Sequence, residues 1–331
     1  MTREEPRDRA SRRPSRLALC SCALAIALAV ALSPTSVARH AGADRARASS
    51  TAEYGCPILP ATDPINREIA NAPVNPNSAN YIASIGLTAH LHPDFGTNPG
   101  YGIPYAVAGR KQRKVPIRFT LYGSESNSGP YPVPATAPIE GGGPRGRGDK
   151  HVLVVQTGTC KLYEMYLASH YREGWAAAAG AVFNLRSSAL RPEGFTSADA
   201  AGLPIFPLLA RYPEAHAGHI EHALRVTVPR TQRGYIHPAT HFASSSSDPN
   251  LPPMGLRLRL KASYNLSGFS GESLVILRAL KRYGLIVADN GSPWFITGAP
   301  NARWSDANLE QLKRVPGSEF EAVDSGPILH G

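Results

Sequence analysis

The sequence predicts a mainly β fold: a single β-sandwich or β-barrel-like domain with two or three short peripheral helices. Thirty Pro and thirty Gly in 331 residues work against long helices and favour short strands joined by shaped turns. Several windows alternate apolar and polar residues with a period of two, most cleanly 256–264 (LRLRLKASY). Regular structure is expected from Cys56 onward, with strands on both sides of one long loop at 123–150, so residues 56–331 are read as one domain.

The chain opens on a different pattern. An Arg-rich head (Arg3, Arg7, Arg9, Arg12, Arg13, Arg16) runs into a 16-residue apolar stretch, Leu17 to Leu32, followed by small residues. That order predicts a bacterial secretory signal peptide over 1–43 and export to the periplasm or beyond. The stretch is shorter than the roughly 20 residues a spanning helix needs, so no integral membrane span is expected once the leader is removed. Residues 44–55 are small and polar and are read as a flexible spacer. The leader holds seven of the 35 basic and three of the 25 acidic residues, so a net charge of +10 falls to +6 without it. The remaining Lys and Arg are scattered, and no basic helix is interleaved with aromatics, which argues against nucleic acid as a partner. Two cysteines lie beyond the leader, Cys56 and Cys160; export permits a disulfide between them, and two unpaired thiols are the alternative.

Strands are predicted, in order, at 115–121, 151–156, 160–166, 180–185, 222–228 and 256–264. The run 151–156 (HVLVVQ) is apolar on both faces and predicts a buried strand. Segments 285–288 and 294–297 read as a last pair joined across the Asn290-Gly291 turn. A helix is predicted over 272–283, where Leu274, Leu277 and Leu280 form one stripe and Gly284 stops it. Ser305 is placed to cap a second helix running to about Arg314. A short third is read at 197–201. The loop 123–150, with its Pro- and Gly-rich tracts, is long enough to suggest a cleft border.

Four groups of residues can carry chemistry. His90, His92 and Asp94 alternate along an extended backbone and could converge on one ion; their donor set suits zinc. Among the later histidines, His222 and His241 suit acid–base or substrate-binding work in a groove. Polar groups on the strands form the third set: Tyr163 and Glu164 on 160–166, Arg225 on 222–228, and Arg257, Arg259 and Lys261 as a cationic stripe on 256–264. The last is the carboxylates Glu125, Glu140, Glu164, Asp199 and Asp289, since glycoside hydrolysis uses two of them flanking one bond. Asp289 draws notice because it follows an apolar strand.

Export, a β-rich scaffold and abundant His, Tyr and Arg lead to one expectation: a secreted glycan-active protein, a hydrolase or lyase on an acidic or cell-wall polysaccharide. His222, Tyr163, Glu164, His241 and Asp289 would be catalytic, and Arg225, Arg257, Arg259 and Lys261 would hold the polymer. Two alternatives stand beside it. One is a polysaccharide- or cell-surface-glycan-binding protein without catalysis. The other is a zinc-dependent hydrolase centred on His90, His92 and Asp94. No serine-nucleophile elbow and no phosphate-binding loop is present in the sequence.

Overall fold

Short strands dominate the computed structural model, which describes residues 52–146 and 148–330; the leader and most of the spacer lie outside the described residues. Strands are numbered in chain order. Six form the largest sheet: β3 (His92–Asp94), β11 (Leu224–Val228), β12 (Arg257–Leu260), β13 (Leu285–Asn290), β14 (Phe295–Thr297) and β15 (Phe320–Ala322), in the order β15-β12-β13-β11-β14-β3. A four-stranded sheet orders β4 (Tyr105–Ala108), β6 (Val152–Gln156), β7 (Lys161–Tyr166) and β10 (Ala179–Asn184) as β10-β7-β6-β4. A three-stranded sheet, β5-β9-β8, combines β5 (Ile117–Phe119), β8 (Ser169–Tyr171) and β9 (Gly174–Ala177). A two-residue ribbon, β1 (Ala52–Glu53) with β2 (Cys56–Pro57), completes the set.

The mainly β class holds, but none of the described sheets closes on itself. Parallel and antiparallel pairs are also mixed: β4–β6, β5–β9, β11–β13 and β14–β3 all run parallel.

The four-stranded sheet shows why 151–156 reads as apolar on both faces. Leu153, Val155 and Leu162 belong to the main core, whereas Val152, Val154, Tyr163 and Met165 belong to a smaller core on the opposite face. Burying each such side chain contributes about 1.5–3 kcal/mol. Cys56 and Cys160 are joined in a disulfide, which ties β2 to the start of β7 across 104 positions.

The expected hairpin at the end of the domain is not a hairpin. β11 lies between β13 and β14, parallel to the first and antiparallel to the second. The Asn290-Gly291 turn therefore steps over β11, and the Gly291 N–H donates to Val228 O at 2.8 Å. The register of β11 against β13 slips between Val226 and Thr227 and leaves Ala288 without a partner on β11.

Helix α3 (Gly271–Arg282) matches its sequence pattern, burying Ile276, Leu277 and Leu280. Ser305 does cap α4 (Asp306–Leu309), accepting from the Asn308 N–H, but the helix tightens to 3₁₀ from Glu310 to Arg314. The helix expected at 197–201 is a turn instead. Ser197 Oγ accepts from the Asp199 N–H at 2.9 Å, and such local side-chain bonds compete with helix. Two helices went unforeseen, α1 (Ser78–Ile85) and α2 (Tyr212–His216). No helix among the described residues is long and apolar enough to cross a membrane.

Candidate functional site

A cavity of about 360 Å³ opens where the ends of the two larger sheets approach one another. Tyr122, Asp149, His151, Tyr166, Asp199, His241, Asp289 and Asn290 contribute to its lining, with the 196–200 turn along one side. The β11–β13 slip builds part of this geometry. An unpartnered residue in a sheet redirects its neighbours, and here the carbonyl of Ala288 accepts the Ala201 N–H at 3.1 Å, docking the 196–201 segment beside Asp289.

Arg225 organises the floor. Its Nε donates to Asp199 Oδ1 at 2.7 Å, and its two terminal nitrogens donate to Thr297 Oγ1 at 3.1 Å and Asp289 Oδ2 at 2.9 Å. Both Arg225 and Asp199 are buried, so the planar guanidinium fork fixes two carboxylates at once. Burial alone would weaken the hold of Arg225 on its proton; the two carboxylates reverse this and raise its pKa. Asp199 is pushed up to about 6 by burial, with Asp289 adding to the rise and Arg225 opposing it. Asp289 is better exposed, and its Oδ1 accepts the Asn290 N–H at 2.8 Å.

A second ion pair lies alongside. His151 is buried, with Nδ1 2.6 Å from Glu140 Oε2 and Nε2 2.9 Å from Ala198 O. Both partners are acceptors, so both ring nitrogens donate and the ring is an imidazolium. Burial works against that charge, but Glu140 overcomes it and raises the His151 pKa to about 9. The Glu140 pKa is lowered: His151 outweighs the effect of burial. Asp149 sits at the rim, where partial burial raises its pKa; His151 opposes the rise, and Glu140 and Asp289 add to it. Ionisable groups displaced in both directions around one cavity are a physical signature of functional sites.

His241 faces the same space. Its Nδ1 lies 2.7 Å from Ala200 O and must donate to it, which leaves Nε2 as the acceptor. The ring stacks parallel to Phe242 at 5.9 Å, and Phe242 stacks in turn on Tyr235.

Of the residues singled out in the sequence, Asp199, His241 and Asp289 line this cavity and Arg225 lies beneath it. All five candidate carboxylates are drawn to one stretch of chain, 196–206. Glu125 accepts the Thr196 N–H at 2.9 Å, and Glu164 accepts the N–H groups of Ile205 and Phe206 at 2.9 Å. Glu140 reaches Ala198 through His151, and Asp289 reaches Asp199 through Arg225. Glu164 is fully enclosed, and burial raises its pKa to about 7. It lies behind the cavity wall rather than on it.

Other residues singled out in the sequence lie away from this cavity. Tyr163 points to the opposite face of the four-stranded sheet and packs on Tyr131 at 5.1 Å between ring centres. His222 is buried in a separate cluster, with Nε2 3.0 Å from Glu214 Oε1 and 3.1 Å from an Arg211 nitrogen. The cationic stripe of β12 is not an open face. Arg257 and Arg259 are both buried under residues 64–72. Arg257 donates to the carbonyls of Pro64 and Tyr283. Arg259 donates to the carbonyls of Ile69, Ala70 and Ala72 and pairs with Glu321 at 2.7 Å. Lys261 Nζ donates to Ser318 O at 2.7 Å. These cations bind the chain to itself, because the preceding segment covers the strand face that alternation alone leaves exposed.

His90, His92 and Asp94 also do not form a cage. His92 and Asp94 lie on β3, where the His92 ring stacks on Phe295 at 3.9 Å, while His90 bridges to Pro316. Among the described residues, no three His, Cys, Asp or Glu side chains gather in an arrangement that could hold a metal ion.

In the sequence, His151 opens a predicted strand and Tyr166 closes one. Asp149 belongs to an Arg-Gly-Asp tripeptide with no chemical signal of its own. What distinguishes them is convergence at the sheet ends, which a one-dimensional pattern does not carry. Comparison with known protein families, with characterised proteins and with solved structures gives no match to this chain.

Proposed function

We propose that the chain is an exported glycan hydrolase whose cavity receives a ring of a neutral, hydroxyl-rich polysaccharide. The carrying observation is that two carboxyl groups in contrasting surroundings line one cavity, Asp149 with a raised pKa and Asp289 ion-paired to Arg225. Such a pair divides the work of glycoside hydrolysis. Asp149 gives its proton to the glycosidic oxygen as the bond from that oxygen to the anomeric carbon breaks. Asp289 takes a proton from the water that attacks the same carbon, and its remaining lone pairs suffice for this. His241 Nε2 accepts a hydrogen bond from a sugar hydroxyl, and Tyr122 and Tyr166 provide aromatic walls for the apolar faces of the ring.

A neutral substrate fits better than an acidic one. The lining carries Asp149, Asp199 and Asp289, and the cations at hand, the His151 imidazolium and Arg225 beneath, are already paired with Glu140 and with Asp199 and Asp289. A uronate carboxylate would meet like charge in a partly desolvated space. The cavity volume falls within the range of small-ligand sites, about 300–1,000 Å³. The leader supports export, which places the substrate outside the cytoplasm.

The test is release of reducing ends from neutral β-glucans, mannans, xylan and chitin, beside polygalacturonate. D149N and D289N are expected to lower kcat/KM at least about a hundredfold on whichever neutral polymer is cut, while the exposed Lys161→Gln leaves it unchanged. Unsaturated product from polygalacturonate would replace hydrolysis with lyase chemistry. Binding without any product would favour a binding protein.

A further inference from the structure

Segments that line the cavity also carry an exposed apolar ledge. Leu121, Tyr122 and Leu167 are 67%, 41% and 39% exposed. The backbone holds them together: the N–H groups of Leu121 and Tyr122 both donate to Ala178 O, and the Ala178 N–H donates to Tyr166 O at 2.8 Å. Leu167 follows Tyr166 directly, and its N–H donates to Asp149 O at 2.9 Å. Tyr122, Tyr166 and Asp149 themselves line the cavity, so ledge and cavity share walls.

Leu167 has φ of +49°, in the left-handed region that branched and bulky residues avoid. It holds that backbone at a conformational cost while remaining 39% exposed. One strained apolar residue with two exposed apolar neighbours beside a polar cavity points to a surface kept for a ligand. The ligand chemistry has to suit both regions. It needs hydroxyls that pair with Asp149, Asp289 and His241, and an apolar face that lies on leucine and tyrosine. A pyranose presents both, with hydroxyls around its edge and C–H groups on its faces.

Resting on the hydrolase reading above, we propose that Leu121, Tyr122 and Leu167 form a second sugar subsite, so that the substrate is a chain of at least two rings rather than a free monosaccharide. The ring in the cavity is the one attacked, and its neighbour lies across the ledge.

The experiment measures calorimetric affinity of the full protein for cellohexaose, mannohexaose, xylohexaose and chitohexaose and for their monosaccharides. The hexamer of one series is expected to bind at least tenfold more tightly than its monomer. In Leu121→Ser combined with Leu167→Asn, that hexamer-to-monomer ratio falls to near one. Asparagine tolerates the left-handed backbone, so the melting temperature is expected not to fall. A ratio near one in the wild type, an unchanged ratio in the variant, or no hexamer binding at all would overturn the subsite. Length-dependent binding without any reducing-end release would keep the ledge and remove the hydrolase. Release with a ratio near one would do the reverse.

Discussion

Glu140→Gln isolates the contribution of the buried ion pair beside the cavity. In the native protein His151 is enclosed, its Nδ1 is 2.6 Å from Glu140, and its pKa is raised from 6.5 to about 9. At about 1.4 kcal/mol per pKa unit, that displacement corresponds to about 3 kcal/mol favouring the folded state. The sign follows from which form the fold prefers. Below pH 6.5 the ring is charged in both states and the full contribution of His151 is present; it is lost as the pH rises through about 9. Glu140 acts in the opposite direction, because its pKa is lowered: its contribution is present above about 4.5 and lost on acidification. Stabilisation by the pair is therefore greatest between about pH 5 and 6.5 and declines as the pH rises towards 9. Glutamine can still accept from Nδ1 but supplies no charge, so burial, with Arg225 acting in the same direction and Asp149 opposing, brings the ring's pKa down. Urea unfolding at pH 7.5 should show E140Q less stable by about 2 kcal/mol, with the difference shrinking as the pH rises through 9. Histidine NMR should show one native ring titrating near pH 9 and that resonance lost from this range in the variant. Equal stability at pH 7.5, or no native histidine titrating above pH 8, would refute the buried imidazolium.

Glu164, raised from 4.5 to about 7 by burial, works against stability at high pH: its contribution is complete below about 4.5 and disappears as the pH rises through 7. Glu164→Gln should therefore reduce the stability lost between pH 5 and 8 by up to about 3 kcal/mol, measured by unfolding at both values. Arg225→Met leaves Asp199 buried without its cation and should cost about 3–5 kcal/mol in unfolding assays, with Asp199→Asn in the same chain recovering part of the loss. Reducing the Cys56–Cys160 bridge opens a loop of 104 positions and should lower stability by about 4–5 kcal/mol, read as a drop in the unfolding midpoint with reductant.

Strand content was legible because both of its signals are local. Period-two alternation and β-branched apolar runs located β6, β7, β11 and β13 to within two residues at each boundary, and found β12 but carried it four residues too far. Pairing was not legible, because it depends on partners far away in sequence. Residues 285–297 look like a hairpin from their turn residues, yet β11 enters between the two strands. The same limit governs the β12 cations. Alternation separates two faces correctly but does not reveal that residues 64–72 cover the charged one. Asp289 was identifiable because a carboxylate at the end of an apolar strand is held where sheet ends form clefts. His241 was identifiable as chemistry but not as position. The pairing of Glu140 with His151, eleven residues apart across an irregular loop, has no periodic trace.

The central claim is that the cavity bounded by Asp149, His241 and Asp289 binds a neutral sugar. Its most direct test follows the histidine ring signals of the D289N protein as each neutral hexasaccharide is added. For at least one series the His241 signal should shift saturably, while His92 and His216, which do not line the cavity, stay in place. Histidine signals unmoved by every neutral hexamer, or His92 and His216 shifting as much as His241, would contradict it.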